Sequence, residues 1–488
     1  LYNPLSTNTT AHYKPVIGLE VHIQLATTSK LFSGDSAAFG AEPNTNISVV
    51  SLAHPGTLPK LNRRAIELAI KMGLACGCEI THEIYFDRKN YFYPDLPKGY
   101  QLTQHRTPIC RGGAIPLRLA DGIVRVIRLN RIHLEEDAGK SIHDGSDSES
   151  FIDFNRAGVP LLELVTEPVI GSAEEAGALL GEIRKLVRYL QISDGNMEEG
   201  SLRCDANVSV MPSGSAQLGR KVEIKNLNSI RFVQQAITAE ISRQVSLLDN
   251  GMPIQPETRL YDTASGNTVA MRTKEELNDY RYFPEPDLSP VILTEQQVEA
   301  IKATLLELPW QKVEKFIEQY GLPPYDSGVL TETKEMADYF EAVCSYTTAF
   351  KAASNWLMGP VRSYLNENPD AGFPVSATVL AELIGLVETK QVSFTVAAQR
   401  VFPELLKNPG RSPLEVAQQL NVMQETDASQ ILPVIEAILC DYPEKVQEYK
   451  KGKRGLFTMF MGEVMKRTRG KADPKLATEL LQQQLEKQ

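Results

Sequence analysis

The side chains able to do chemistry recur on strand-like segments, as carboxylates set two residues from imidazoles or cations. In PVIGLEVHIQL, residues 15–25, Ile17, Leu19, Val21, Ile23 and Leu25 point one way. Gly18, Glu20, His22 and Gln24 point the other, which is the period of a half-buried strand. Glu20 and His22 then either reach into a shared polar cleft, where both can hold a metal ion, or lie on an ordinary wet face. The arrangement repeats downstream. Arg131, His133 and Glu135 share one face against Ile132 and Leu134, and Glu136 and Asp137 follow. Glu163 sits inside the apolar run GVPLLELVTEP. A buried carboxylate there must be protonated, paired or metal-bound, so a structural ion pair and a functional site are both open. Arg203, Asp205, Asn207 and Ser209 alternate with Cys204, Ala206, Val208 and Val210, and Lys221, Glu223 and Lys225 alternate with Val222 and Ile224.

Hard cations such as Mg²⁺ take oxygen ligands and are commonly held by a few carboxylates plus nucleotide phosphates. Phosphoryl transfer needs that metal together with cationic clamps on the moving group. The chain contains no Walker A sequence and no GxGxxG fingerprint. A nucleotide site here is therefore built on a sheet, and the residues point to a metal–nucleotide site on an antiparallel sheet.

The elements that must position these residues follow from periodicity and punctuation. Residues 29–62 are rich in Gly, Pro, Asn and Ser and read as a long ordered loop. Helical spacing is expected over Arg63–Cys76, Ser172–Tyr189 and Ile230–Leu248. FDRKNYFYPDLPKGYQLTQ, 86–104, sets Asp87, Arg88, Lys89 and Asn90 beside Tyr91, Phe92 and Tyr93. That density of charge and aromatics near turns suits a binding loop, or a surface loop with aromatic anchors. From Thr294 the pattern turns helical, with segments at 297–306, 312–320, 334–342, 349–357 and 377–387. KNPGRSP, 407–413, reads as a hinge before a smaller helical tail.

A chain of 488 residues, 42% hydrophobic and 23% charged, is long enough for two to four soluble domains. No apolar run approaches the roughly 20 residues that span a bilayer. LYNPLSTNTTAHYK has no charged stretch leading into an apolar one, so no secretory signal is expected. The missing initial Met fits a sequence that starts inside a longer gene product. Six cysteines without a CxxC pair imply a reduced, cytoplasmic setting. The net charge of −10 argues against nucleic-acid binding by the whole surface. Between Lys445 and Lys475, however, ten basic residues face three acidic ones, a net of +7 that leaves the rest at −17. Such an end is either an RNA-backbone contact or a solvated basic face.

VIGLEVHIQL, PGTLPKLN, FDRKNYFYPDLPKGYQLTQ, RIHLEEDAGK, NRAGVPLLELV, DGNMEEGSLRCDANVSV, EIKNLNSIR, ETRLYD and DYRYFPEPDLSP occur in that order. SNWLMG and RGKADPKLATELL continue the series. Together they resemble the B subunits of bacterial aspartyl/glutamyl-tRNA amidotransferases. An archaeal E-type paralogue would carry an inserted domain before DYRYFPEPD, and no insert is present. The resemblance implies an α+β protein in three parts. An antiparallel-sheet catalytic cradle at 1–293 would resemble the catalytic fold of glutamine synthetase. A helical linker domain at 294–409 and an all-α tail at 410–488 would follow. It implies ATP-dependent phosphorylation of the side-chain carboxylate of Glu-tRNA(Gln) and/or Asp-tRNA(Asn), then amidation by ammonia channelled from a glutaminase A subunit. A small C subunit would brace the heterotrimer, and the tail would contact the tRNA elbow.

Carried over by motif, Glu20 and His22 are metal ligands, with Glu135 and Glu163 completing or neighbouring the site. Asp205, Asn207, Glu223 and Lys225 hold the metal or the nucleotide phosphates, and Glu135, Lys89 and Arg203 are catalytic. Lys89 would sit near the ammonia exit or the acceptor end. Many relatives carry a zinc knuckle of four cysteines in the loop after the first strand. Ser33, Asp35, Ser48 and Ser51 stand at those positions here. Ser is a poor zinc ligand, so ATP and Mg²⁺ are expected as cofactors and zinc is not. The rival readings are a tRNA-binding adaptor without chemistry, disfavoured by the full acidic set, and a small-molecule ammonia ligase, disfavoured by the basic tail. The chain lacks the Gly/Ser-rich amidase signature and is not expected to hydrolyse glutamine alone.

Overall fold

The computed structural model describes residues 12–119, 122–142, 149–273, 280–424, 428–468 and 471–487, with the side chains at 226, 272 and 273 outside that description. Arg469, one of the ten basic tail residues, and residues 143–148 of the Gly- and Ser-rich stretch that follows Asp137 and runs through Ser150 lie outside it. The chain forms two compact units, Leu1–Trp310 and Gln311–Gln488.

The first unit is organised on a ten-stranded sheet whose central strand is Tyr13–Gln24. Outward on one side lie Leu202–Pro212, Val222–Leu227, Glu257–Asp262 and Asn267–Thr273. On the other lie Pro160–Thr166, Val124–Glu136, Cys110–Arg111 and Glu79–Ile80, with Ala114–Arg118 also on the long Val124–Glu136 strand. The pairs are antiparallel except one: Val222–Leu227 runs parallel to Glu257–Asp262. The helix Ile230–Asp249 makes that crossover, because parallel neighbours cannot be joined by a hairpin. The fold is α+β, as expected.

The period-2 pattern sets which face is dry. Ile17, Leu19, Val21 and Ile23 are buried in one core with residues of the helices Arg63–Ala75, Ala173–Tyr189 and Ile230–Asp249. Each helix starts where a side chain caps it: Asn62, Ser172 and Ser229 accept from Arg64, Glu175 and Phe232 backbone N–H groups. The opposite face carries the polar residues. A separate three-stranded sheet, Asp87–Asn90 between Tyr100–Thr103 and Arg281–Pro284, lines a cavity together with this face.

The first core extends past Leu293. Val298, on the helix Glu295–Lys302, is buried in it, and Trp310 packs against it. The helix expected to open the linker domain is thus part of the sheet unit.

The second unit holds two cores. One runs from Phe316 to Val422 and the other from Ile431 to Leu485. Phe402 and Leu405 precede KNPGRSP, Val416 and Ala417 follow it, and all four lie in the same core. The segment read as a hinge is therefore a largely exposed turn that joins two elements of one core. Among the described residues no helix is long and apolar enough to cross a membrane.

Candidate active site

Strand register lines up four side chains across four strands. His22 lies opposite Arg203 on one neighbour and Glu163 on the other, and Glu163 lies opposite His133. His22 Nε2 is 3.6 Å from Glu163 Oε2 and 3.9 Å from Glu135 Oε1. His133 Nε2 closes the group from the far side, 3.4 Å from Glu163 Oε2 and 3.6 Å from Glu135 Oε2. Thr103, from the small sheet, donates to Glu135 Oε2 at 3.3 Å. His22, Glu135 and Glu163 each present a ligand atom within 4.8 Å of the others, the one such group among the described residues. An imidazole and two carboxylates on rigid strands fit a divalent cation, and the carboxylate majority suits Mg²⁺ or Mn²⁺.

Opposite charges face one another within this group. Burial opposes charge on Glu163, but the His133 and His22 imidazoles and the Lys89 ammonium outweigh it and hold the carboxyl well below the usual carboxylate range. Burial likewise opposes charge on His22. The Glu163 carboxylate 3.6 Å away, then the charge of Glu135, raise its pKa above the ordinary 6.5.

A second acidic group lies beside the first. Glu20 is opposite Asp205, and Asn207 is opposite Glu223. Asn207 Nδ2 donates to Glu20 Oε1 at 2.9 Å. Lys225 Nζ pairs with Glu223 Oε1 at 3.0 Å and Asp205 Oδ2 at 3.2 Å, and Thr258 donates to Glu223 at 2.9 Å. The register between these strands slips by one residue beside Asp205, a bulge of the kind found at sites where a side chain is re-aimed. Burial and the nearby charges of Glu163, Glu223 and Asp205 push the Glu20 pKa up, whereas Lys225 overcomes burial at Glu223 and holds it down.

Both groups open into one cavity of about 680 Å³, which Lys89 and Arg203 also line. Lys89 enters from the small sheet, its ammonium 4.7 Å from the Tyr280 ring centroid and 5.7 Å from that of Tyr91. Arg203 is held by Asp137, whose Oδ2 accepts from Arg203 at 2.8 Å and from Gln24 at 2.7 Å. The structure therefore brings every expected site residue to one cavity or its wall: Glu20, His22, Lys89, Glu135, Glu163, Arg203, Asp205, Glu223 and Lys225 line it, and Asn207 reaches it through Glu20. It divides them in a way the expectation did not. Glu20 belongs with Asp205 and Glu223 by register, apart from the His22–Glu135–Glu163 group.

Two residues enter that the sequence reading left without a role. His133 shares the alternation of RIHLEE with Glu135, so its place on this face was legible. Asp137 was read only as following that strand, and its grip on Arg203 depends on a pairing across the sheet. Glu136 points elsewhere: it accepts from the Leu102 backbone at 2.8 Å and pairs with Lys98.

In the loop after the first strand, Ser33, Asp35, Ser48 and Ser51 converge on one carboxylate. Asp35 Oδ2 accepts from the Ser48 hydroxyl and backbone, each at 2.9 Å, and from the Ser51 hydroxyl. Ser33 and Ser51 hydroxyls are 3.0 Å apart. Burial would raise the Asp35 pKa, but hydrogen bonds from Ser51, Ser48 and Ser33 lower it. The four positions thus close the loop by hydrogen bonding.

Residues 15–299 match the GatB/GatE catalytic domain family, and residues 338–485 match the GatB domain family. The chain is 48% identical over 474 residues to the B subunit of an aspartyl/glutamyl-tRNA(Asn/Gln) amidotransferase from Thermodesulfovibrio yellowstonii, covering 96% of this chain and 98% of the relative. The corresponding protein from a Synechococcus is 48% identical over 97% of this chain and 98% of the relative. That of Alkalilimnicola ehrlichii is 47% identical over 97% and 99%. The acidic floor, built on strands within the first matched region, and likeness over nearly the full length agree: the chain belongs to the family of aspartyl/glutamyl-tRNA(Asn/Gln) amidotransferase B subunits.

Proposed function

We propose that this chain phosphorylates and then amidates the side-chain carboxyl of a misacylated tRNA, Glu-tRNA(Gln) and/or Asp-tRNA(Asn). The observation that carries the reading is the match to B subunits over nearly the whole length. In the reaction, a carboxylate oxygen attacks the γ-phosphorus of ATP and ADP departs. Ammonia then attacks the acyl carbon, phosphate leaves, and loss of a proton yields the amide. An A subunit releases the ammonia from glutamine and passes it through a channel, and a small C subunit braces the heterotrimer. The setting is cytoplasmic, with translation.

The residues divide this work by charge. His22, Glu135 and Glu163 would hold Mg²⁺, and His133 steadies both carboxylates from the far side. Bound Mg²⁺ supplies positive charge against the phosphates during transfer. Glu20, Asp205, Asn207 and Glu223 form the neighbouring acidic wall, with Lys225 offering an ammonium to nucleotide phosphate. Arg203, oriented by Asp137, and Lys89, facing Glu135 and Glu163, are the clamps for the substrate carboxylate and the moving phosphoryl group. Carboxylates and cations on one face of a mostly antiparallel sheet support a likeness to the catalytic fold of glutamine synthetase.

We divide the chain into a cradle, a helical linker and a tRNA-binding tail. The cores support ending the cradle near Trp310 and starting the tail between Gln424 and Ala428, since Val298 joins the first core and Val422 the second. The test of function is transfer of ³²P from γ-labelled ATP to misacylated tRNA by the assembled complex without an ammonia source. Label in the acyl group of Glu-tRNA(Gln) or Asp-tRNA(Asn) is expected. ATP turnover that leaves both unlabelled would overturn the reading.

Zinc is not part of this assignment. The purified chain is expected to hold less than stoichiometric zinc by elemental analysis and to keep its melting temperature in chelator. Asp35→Ala, which strands two seryl hydroxyls, is expected to destabilise the cradle by about 1–3 kcal/mol. One zinc per chain, lost together with stability on chelation, would refute the zinc-free loop.

A further inference from the structure

The mouth of the cavity carries aromatic rings that phosphorylation does not use. Tyr91, Phe92 and Tyr93 follow the strand Asp87–Asn90, Tyr280 and Tyr282 lie at the strand Arg281–Pro284, and His105 follows Tyr100–Thr103; all six line the cavity. Five are linked to one another. Tyr91 meets Tyr280 at 5.4 Å and Tyr93 at 6.4 Å, Tyr280 meets Tyr282 at 6.4 Å, and His105 stacks on Tyr282 at 4.0 Å and 15°. Phe92 stands outside these pairs and is 92% exposed, beside Tyr93 at 57%. A Cβ added to Gly99 would come within 3.2 Å of the Phe92 ring, and Gly99 has φ +70°, so a bare glycine lies beside the platform. Single exposed aromatics are common, but a connected set at the mouth of a polar cavity marks a binding surface.

We propose that this rim stacks the unpaired 3′-terminal nucleobases of the aminoacylated tRNA, with Phe92 as the outermost platform. The assignment rests on the substrate reading above. The carboxylate that reacts on the cavity floor is tied to the terminal ribose by a short run of single bonds, which leaves the terminal base at the mouth. The floor itself presents Glu20, Glu135, Glu163, Asp205 and Glu223. Arg203 and Lys225 on that floor are committed to the reacting carboxylate and the nucleotide phosphates, so what the aromatic mouth offers an incoming strand is contact through base faces. Aromatic faces accept any base, and Lys89 near Tyr91 and Tyr280 adds a cation to the same stack. The adenine of ATP is the other purine in the reaction. A small ligand is held with most of its surface enclosed, whereas a ring as open as Phe92 suits the end of a strand that leads away from the protein.

The test uses the assembled complex and a tRNA whose terminal adenine is replaced by 2-aminopurine, whose fluorescence is quenched on stacking. Binding to the wild type should quench it. Phe92→Ala should lose much of the quenching and raise the KM for misacylated tRNA about tenfold, with the KM for ATP unchanged. Phe92→Trp should restore both. No quenching by the wild type, an unchanged KM for tRNA in Phe92→Ala, or a raised KM for ATP in its place would overturn the assignment. A complex that transfers no phosphoryl group to misacylated tRNA would overturn the substrate reading and this proposal with it. A complex that does so with Phe92→Ala indistinguishable from wild type would overturn this proposal alone.

Discussion

His22→Ala is expected to lower tRNA-dependent ATP turnover by a factor on the order of a hundred to a thousand, the range seen when one preorganised electrostatic contact is removed. Its imidazole lies 3.6 Å from Glu163 and 3.9 Å from Glu135, so its loss takes a ligand atom from the centre of the group. Assembly should survive, because His22 lies on the polar face while the neighbouring Val21 and Ile23 keep the core. A second readout separates metal loss from misfolding: Mn²⁺ binding followed by electron paramagnetic resonance should weaken in the variant. The pH dependence follows from the same contacts. A metal must displace the His22 proton, and carboxylate neighbours raise that pKa above 6.5. Metal affinity in the wild type should therefore rise with pH through a window above 6.5 and fall as pH drops through it. In His22→Ala that dependence should flatten. Full turnover with unchanged Mn²⁺ affinity in His22→Ala would remove the site from this group.

Ending the chain after Gln424 is expected to raise the KM for misacylated tRNA at least tenfold and to flatten its salt dependence. The cut keeps Val416, Ala417 and Val422 in the second core and removes the third core whole. A cut within 407–413 would instead strip three residues from the second core and mix unfolding with weakened binding. The part removed carries the +7 segment, and Lys450, Lys451, Lys453 and Arg454 are exposed at the turn between the helices Pro443–Lys450 and Leu456–Arg467. Some of the charge is internally committed: Lys453 pairs with Glu448 at 3.1 Å and Arg467 with Asp441 at 2.6 Å. Each tRNA phosphate that is no longer neutralised should reduce the log–log salt slope by about 0.7 to 0.9. Turnover should slow as well, since a tRNA held less firmly presents its acceptor end less often. Equal KM and equal slope for the two chains would make the tail a solvated surface only.

Much of the site was legible residue by residue. The alternation in 15–25, 131–135, 203–209 and 221–225 assigned the polar side chains to strand faces, and the structure has them there except Lys221, which precedes the strand Val222–Leu227. The same alternation separates Glu135 from Glu136. The helices Arg63–Ala75, Ala173–Tyr189 and Ile230–Asp249 lie within a residue or two of their expected spans. Local periodicity carries this information because it is a property of the chain's own geometry, with successive side chains on opposite faces of a strand.

What the sequence alone determined was therefore which residues are polar-facing and, through long motifs, which family they belong to. Which of them meet was decided by tertiary structure. Glu163 touches His22 and His133 because its strand is inserted between theirs, and strand order is set by long-range pairing that no local pattern encodes. The slip beside Asp205 and the parallel pair at Glu257–Asp262 are likewise products of pairing. Lys89 and Thr103 reach the site from a different sheet, and the aromatic rim draws on segments almost 200 residues apart in sequence, a separation of 191 for Asn90 and Arg281. The first compact unit runs to Trp310 for the same reason: Val298 is apolar whichever core it joins, and only packing chooses between them.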